Sequence, residues 1–327
     1  MFENSTQDYK VELMDLSVDL CGIHFNSPVA MASGNAGYGI EYQSVSGFSN
    51  RDVGAVFLKG TTLEAKLGNK PERVMEAPCG LLNSIGLQNP GAKAVIEQYL
   101  PKLKLDESRF IINVSGSSIE EYAEVVRLFD QTDLPAIEVN ISCPNVKKGG
   151  AAFGNDPDMA AKVVEACRAN TTKPLIVKLS PNQTDIAEGA RRVIDAGADM
   201  LSAINTLMGM QVDIHTAKPT LGNNQGGLSG PAVKPVALLK VHQVYQVAKQ
   251  YNVPIIGLGG IASAEDAIEF FLAGASMVAI GTAMAKDPLL VKKVNKGIAK
   301  YMQQQGYQSV SEMTGKLQLN TDTVLCG

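Results

Sequence analysis

The chain has 327 residues, 45% of them hydrophobic and 19% charged, with a formal net charge of −4. That is the composition of a soluble globular protein, not of a disordered or membrane-embedded one. Lys and Arg are scattered, so no basic stripe offers itself to nucleic acid or to an anionic membrane, and small molecules and other proteins are the expected partners.

The opening "MFENSTQDYKVELMDLSVDL" has neither a basic n-region nor an apolar h-region, and no apolar run approaches bilayer-spanning length. A cytoplasmic location is expected. From Tyr9 to Ser27, "YKVELMDLSVDLCGIHFNS" alternates as a hairpin does and is expected to plug one end of the fold. Eight short runs rich in Val, Ile and Ala follow, each leading into a polar or Gly-bearing turn. They are "PVAMAS" from Pro28, "GAVFLK" from Gly54, "FIINVS" from Phe110, "AIEVNIS" from Ala136, "PLIVKLS" from Pro174, "DMLSAI" from Asp199, "VPIIGLGG" from Val253 and "SMVAIG" from Ser276. Helical periodicity separates them, as in "SIEEYAEVVRLFDQ" after Ser117, "DPDMAAKVVEACRA" from Asp156 and "DIAEGARRVIDAG" from Asp185. Buried parallel strands with crossover helices, eight times over, predict an α/β fold: a (β/α)8 TIM barrel forming one domain over residues 1–327. Two stretches are too long for simple βα loops, 60–91 after strand two and 205–234 after strand six. Long loops on that face of a barrel are where active sites are built.

Five cysteines, Cys21, Cys79, Cys143, Cys167 and Cys326, are odd in number and widely spaced, so neither a disulfide framework nor a metal or iron–sulfur site is expected in this chain. Cys21 and Cys167 read as packing residues, and Cys79 as a loop residue near the mouth. The three histidines, His24, His215 and His242, are equally dispersed. His215 reads as a solvated loop residue.

The ends of the eight runs carry Ser33, Lys59, Asn113, Asn140 with Cys143, Lys178, Asn205, Gly259 with Gly260, and Gly281 with Thr282. One asparagine after a strand is usually a turn or cap residue; a succession of asparagines and lysines at equivalent places is not so easily explained that way. The glycine turns after strands seven and eight stand where barrels of this kind bind phosphate through backbone N–H groups. Lys59 and Lys178 suit either a Schiff-base nucleophile or a cation that stabilises charge on a bound ring. The asparagine amides suit a planar heterocycle with imide-type edges.

In this order on eight strands, "NISCPN", "NSIGLQNPG", "INTLMG", "GGLSGPA" and "GLGGI…IGTA" resemble class 1 dihydroorotate dehydrogenase, the FMN enzymes of pyrimidine biosynthesis. The resemblance takes in nearly the whole chain, leaving out the first few residues and the tail after Lys316. It implies that one FMN is held by Ser33, Lys59, Gly60, Asn113, Asn140, Lys178, Ile204, Gly230, Gly259, Gly260, Gly281 and Thr282. Dihydroorotate would be surrounded by Lys59, Asn83, Ser84, Ile85, Gly86, Leu87, Asn140, Asn145, Asn205 and Thr206, with Cys143 as the catalytic base. "SCPNVKKGG" and "INTLMGM" are more similar to the NAD-linked 1B catalytic subunit than to the fumarate-dependent 1A homodimer. That subtype implies a homodimer core joined to a second subunit that carries FAD and a [2Fe-2S] cluster and passes electrons to NAD. The chain departs from the family's pattern at Asn35 and Ala36, where Thr and Phe are expected, and keeps Ser33. Without the resemblance, a Schiff-base aldolase or lyase barrel lacking flavin is the competing expectation.

Overall fold

Eight parallel strands close on themselves in chain order: Val29–Met31, Ala55–Phe57, Arg109–Val114, Ile137–Asn140, Leu175–Leu179, Met200–Ala203, Ile255–Leu258 and Met277–Ile280. We refer to them as barrel strands one to eight. The computed structural model describes residues 14–142 and 154–320. Seven of the barrel strands fall within the runs read from the sequence and the third starts one residue earlier, at Arg109; most of their residues are buried, as strands covered on both faces must be.

The helices begin where their caps predict. Ser118 accepts a hydrogen bond from the Glu121 N–H and starts Ile119–Asp130. Asp156 and Asp185 each accept from two backbone N–H groups at the starts of Pro157–Arg168 and Ile186–Asp195. A cap of this kind contributes about 1 kcal/mol. The apolar faces of these helices bury Phe129, Val164 and Val193 against the barrel. Cys167 lies in the same layer with no exposed surface, as expected of a packing residue.

The N-terminal hairpin pairs Val18–Leu20 with Ile23–Phe25. Its two-residue turn, Cys21 (φ 49°) and Gly22 (φ 77°), has the left-handed backbone that matches strand twist. Cys21 is an exposed turn residue whose thiol is nonetheless turned onto the barrel, so the packing role expected for it holds only for its sulfur. The hairpin seats on the barrel through Arg109 Nε, which donates to the His24 carbonyl at 2.8 Å, and through Cys21 Sγ, which approaches the Asp199 carbonyl at 3.3 Å. Arg109 opens strand three and Asp199 precedes strand six. The hairpin thus covers the N-terminal end of the barrel, opposite the loops.

The two long loops do more than cover the mouth. Val74–Ala77 and Gly80–Asn83 from the first pair with Leu207–Gly209 and Gly226–Ser229 from the second in a four-stranded antiparallel sheet. His215 lies exposed at the tip of the second loop, its N–H donating to Asp213. Among the described residues no helix is long and apolar enough to cross a membrane.

Candidate active site

Barrel geometry explains why the polar side chains meet. Residues two apart on a strand share a face, and neighbouring strands bring Asn113 level with Glu138, Asn140 level with Lys178, and Lys178 level with Ser202. Five polar side chains from strands three to six therefore share the barrel interior. Above them opens a cavity of about 380 Å3, roofed by Val74, Leu81 and Leu228 of the mouth sheet. That volume lies within the range of small-molecule sites.

The cavity wall contains all twelve residues expected to hold a cofactor, from Ser33 through Thr282. Of the residues expected around a substrate, Lys59, Asn83, Ile85, Gly86, Leu87, Asn140, Asn205 and Thr206 also line it. Ser84 stands behind the wall, wholly buried, its hydroxyl and carbonyl both accepting from Asn69 Nδ2 at 3.0 and 3.1 Å. Cys143 and Asn145 lie outside the described residues, as does Cys326. Cys79 is exposed in the turn that joins two strands of the mouth sheet and does not reach the wall.

Charge in the cavity has one sign. Among the described lining residues the charged side chains are Lys59 and Lys178, and none is Asp, Glu or His. Lys178 is 5% exposed and has no carboxylate within ion-pair reach among the described residues. A buried ammonium without a protein counter-ion is costly, so its charge is suited to an anionic or electron-rich ligand.

At the far side of the cavity Gly230, Gly259, Gly260, Gly281 and Thr282 converge. Gly260 has φ +83°, and a Cβ there would lie 2.8 Å from the Lys234 backbone nitrogen and 2.9 Å from the Gly230 carbonyl oxygen. The turn is pinned from outside by Lys234, whose Nζ reaches Asp266 at 2.6 Å and Glu269 at 3.0 Å, while the Ala262 N–H donates to Asp266 at 2.9 Å. Burial alone would raise the Asp266 carboxyl, but the hydrogen bonds from Lys234 and Ala262 outweigh it and hold it below its usual 3.8. The Asp266 hydrogen bond in turn pushes the Lys234 ammonium up. A carboxyl lowered by folding contributes stability above its unfolded pKa and loses it as pH falls through the folded value. Asp266→Asn should therefore lower the thermal midpoint at pH 7, by an effect of about 1 kcal/mol, and in parallel melts the difference should shrink as pH falls below 3.8.

Reading the sequence alone missed two kinds of residue. The apolar roof was missed because neither long loop signals in isolation that it pairs with the other. Glu138 was missed although its signal was present: a carboxylate inside the apolar run "AIEVNIS".

A closed (β/α)8 barrel with a polar, glycine-edged mouth and two lysines defines a class of enzyme that binds an anionic ligand at the carboxyl ends of its strands. Comparison with known proteins narrows the class. The family model described as dihydroorotate dehydrogenase matches residues 15–302, and the chain belongs to that family of oxidoreductases. It is 49% identical to the "Dihydroorotate dehydrogenase B (NAD(+)), catalytic subunit" of Desulforamulus reducens, over 94% of this chain and 99% of that protein. It is 47% identical to the protein of the same name from Bacteroides thetaiotaomicron, over 94% of this chain and all of the other. A protein of Aquifex aeolicus that carries a provisional name for the fumarate-linked A type is 48% identical, over 92% of this chain and 98% of its own length.

Proposed function

We propose that this chain oxidises dihydroorotate to orotate in pyrimidine biosynthesis, as the single-domain, FMN-bearing catalytic subunit of an NAD-linked enzyme. The observation that carries the reading is the cavity itself, where the twelve residues expected at a cofactor meet eight of those expected at the substrate. The residues fit FMN. Glycine turns and the Ser33 and Thr282 hydroxyls suit its phosphate, and the asparagine amides and two lysines suit the edges of its ring.

When bound, FMN supplies the two-electron acceptor for the hydride that leaves C6 of dihydroorotate. The chain's own residues do the rest. Cys143 takes the proton from C5, which leaves a C5–C6 double bond. Asn83, Asn140 and Asn205 hold the pyrimidine flat, and Lys178 and Lys59 set the positive field of the site. The roof of Val74, Leu81 and Leu228 narrows the opening to water.

The purified protein tests this cheaply. It should be yellow, with a flavin spectrum that orotate perturbs; a colourless protein that borohydride traps with a carbonyl substrate would instead favour the aldolase reading. The fumarate-linked reading is kept by the name of the Aquifex aeolicus relative. Iron and FAD in a co-purifying subunit, with NADH-linked activity, support the NAD-linked assignment. Full turnover of the isolated chain with fumarate would overturn it.

The glycine cradle gives a further expectation. Gly260→Ala forces a side chain into left-handed backbone and against backbone atoms, a strain of about 1–3 kcal/mol. FMN content after purification should fall about tenfold, corresponding to about 1.4 kcal/mol. Gly281→Ala should be milder, since its Cβ would meet neighbours only at 3.6 Å. Equal retention of FMN in the two variants would show that the Gly260 turn does not shape the site.

A further inference from the structure

Glu138 is 2% exposed, lies beneath the cavity rather than in its wall, and has no ion-pair partner among the described residues. Burying a carboxylate in a barrel core without a cation is expensive. Both of its oxygens are nonetheless occupied: Oε1 accepts from Ser202 Oγ at 2.7 Å and Oε2 from Asn113 Nδ2 at 2.5 Å. From there a single directed chain runs upward. Asn113 Oδ1 accepts from Asn140 Nδ2 at 3.4 Å. Asn140 Oδ1 accepts from Ser142 N–H at 3.2 Å, Ser142 Oγ at 2.9 Å and Asn205 Nδ2 at 3.4 Å. Asn205 Nδ2 also donates to Ser142 Oγ at 2.9 Å, and Asn205 Oδ1 accepts from the Thr206 N–H at 2.7 Å.

The direction of this chain is set from both ends: the Glu138 carboxylate accepts from Asn113, and the Ser142 backbone N–H, which can only donate, holds the Asn140 carbonyl. An ionised carboxylate is an acceptor only, so Asn113 must turn its NH2 towards Glu138 and its carbonyl towards Asn140, which in turn presents its own NH2 to Asn113. The two side-chain carbonyls are thereby engaged within the protein. One amide N–H on Asn113 and one on Asn140 are left over at the cavity wall, where both residues stand. Rotating Asn113 by half a turn would set oxygen against oxygen at Glu138 and offer a ligand an acceptor in place of a donor.

We propose that Glu138 is a positioning residue: its carboxylate fixes Asn113, and through it, together with the Ser142 N–H, Asn140, in the donor-outward orientation that a planar ligand rich in carbonyl and anionic oxygen requires. The inference rests on the reading of this cavity as a dihydroorotate site. It adds a residue that touches neither cofactor nor substrate and acts through two that line the site.

The test uses the FMN-loaded protein and reads orotate affinity from the perturbation of the flavin spectrum. Glu138→Gln should stay within about threefold of the parent. Its carbonyl still accepts from Asn113, and its NH2 can donate to Ser202, whose hydroxyl serves either way. Glu138→Met, similar in volume but without an acceptor, should lose tenfold or more in orotate affinity, measured on protein saturated with added FMN because Asn113 and Asn140 are also expected at the cofactor. Rescue by glutamine and not by methionine marks orientation as the role. Parental affinity in the methionine variant would overturn the proposal, and so would equal losses in the two variants, which would assign the effect to charge. Should the methionine variant not fold, Glu138→Asp carries the test, because it keeps the charge but withdraws it by one methylene from Asn113. Weakened binding is then expected, and parental binding overturns the proposal. A parent whose flavin spectrum ignores orotate would instead sink the functional reading, so the two failures are distinct.

Discussion

Serine in place of Cys143 should leave flavin content and orotate binding intact, while the rate at which dihydroorotate bleaches the flavin at pH 7 falls by about 10²–10⁴-fold, the usual contribution of a general base. The cavity supplies the reason. Its described lining has no aspartate, glutamate or histidine, so proton abstraction must come from elsewhere. Ser142 is fully buried and hydrogen-bonded to two lining asparagines, Asn140 and Asn205, so the chain leads into Cys143 from a residue anchored on the site. Two of the other thiols, Cys167 and Cys21, compete poorly. Burial pushes Cys167 up to about 12, and burial with the nearby Asp199 carboxylate pushes Cys21 up to about 11. A free cysteine titrates near about 8.5, and the base is the thiolate, so the parent's rate should rise with pH through that region. The serine variant should recover only in strong alkali. Stopped-flow traces across pH measure both, and parental bleaching by the serine variant at pH 7 would remove Cys143 from the reaction.

Lys178→Met is the second large effect. The methionine side chain fills much the same space in strand five, so the barrel should fold, but the cavity loses one of its two described cations. Removing a preorganised charge from a closed site typically costs about 10²–10³ in rate. Bleaching by dihydroorotate should slow by that factor. The reduction potential of the bound flavin should move to more negative values, because the lost cation stabilised the electron-rich form. A slower rate with an unchanged potential would assign Lys178 to substrate placement, and no change in either would leave it a structural residue.

The barrel was legible because its signals are local. Each strand is a short apolar run, and helices such as Pro157–Arg168 and Ile186–Asp195 are announced by their own caps, Asp156 and Asp185. The inner wall was legible almost residue by residue for the same reason, since Asn113, Lys178 and Gly260 stand at strand ends whose positions the runs determine. Non-local features were not. Nothing near Leu81 indicates that it will face Ser229 across two antiparallel strands from another part of the chain. Ser84 looked like a wall residue because it sits within "NSIGL", yet just past the end of its strand it is buried and accepts from Asn69 Nδ2. Glu138 alternates with Asn140 and so had to share its face, but its partners, Asn113 and Ser202, come from other strands.

The pairing of the two long loops changes how this protein can vary. Asn83 donates from its side chain to the Gly227 carbonyl, and a Cβ on Gly227 would strike the Thr206 side chain at 1.9 Å. Segments more than a hundred residues apart in sequence therefore form one lintel over the entrance, and a change in the length or register of either shifts the other. Transplanting the "NSIGL" segment from a relative would be expected to succeed only if residues 205–234 travelled with it. The entrance is inherited as a pair.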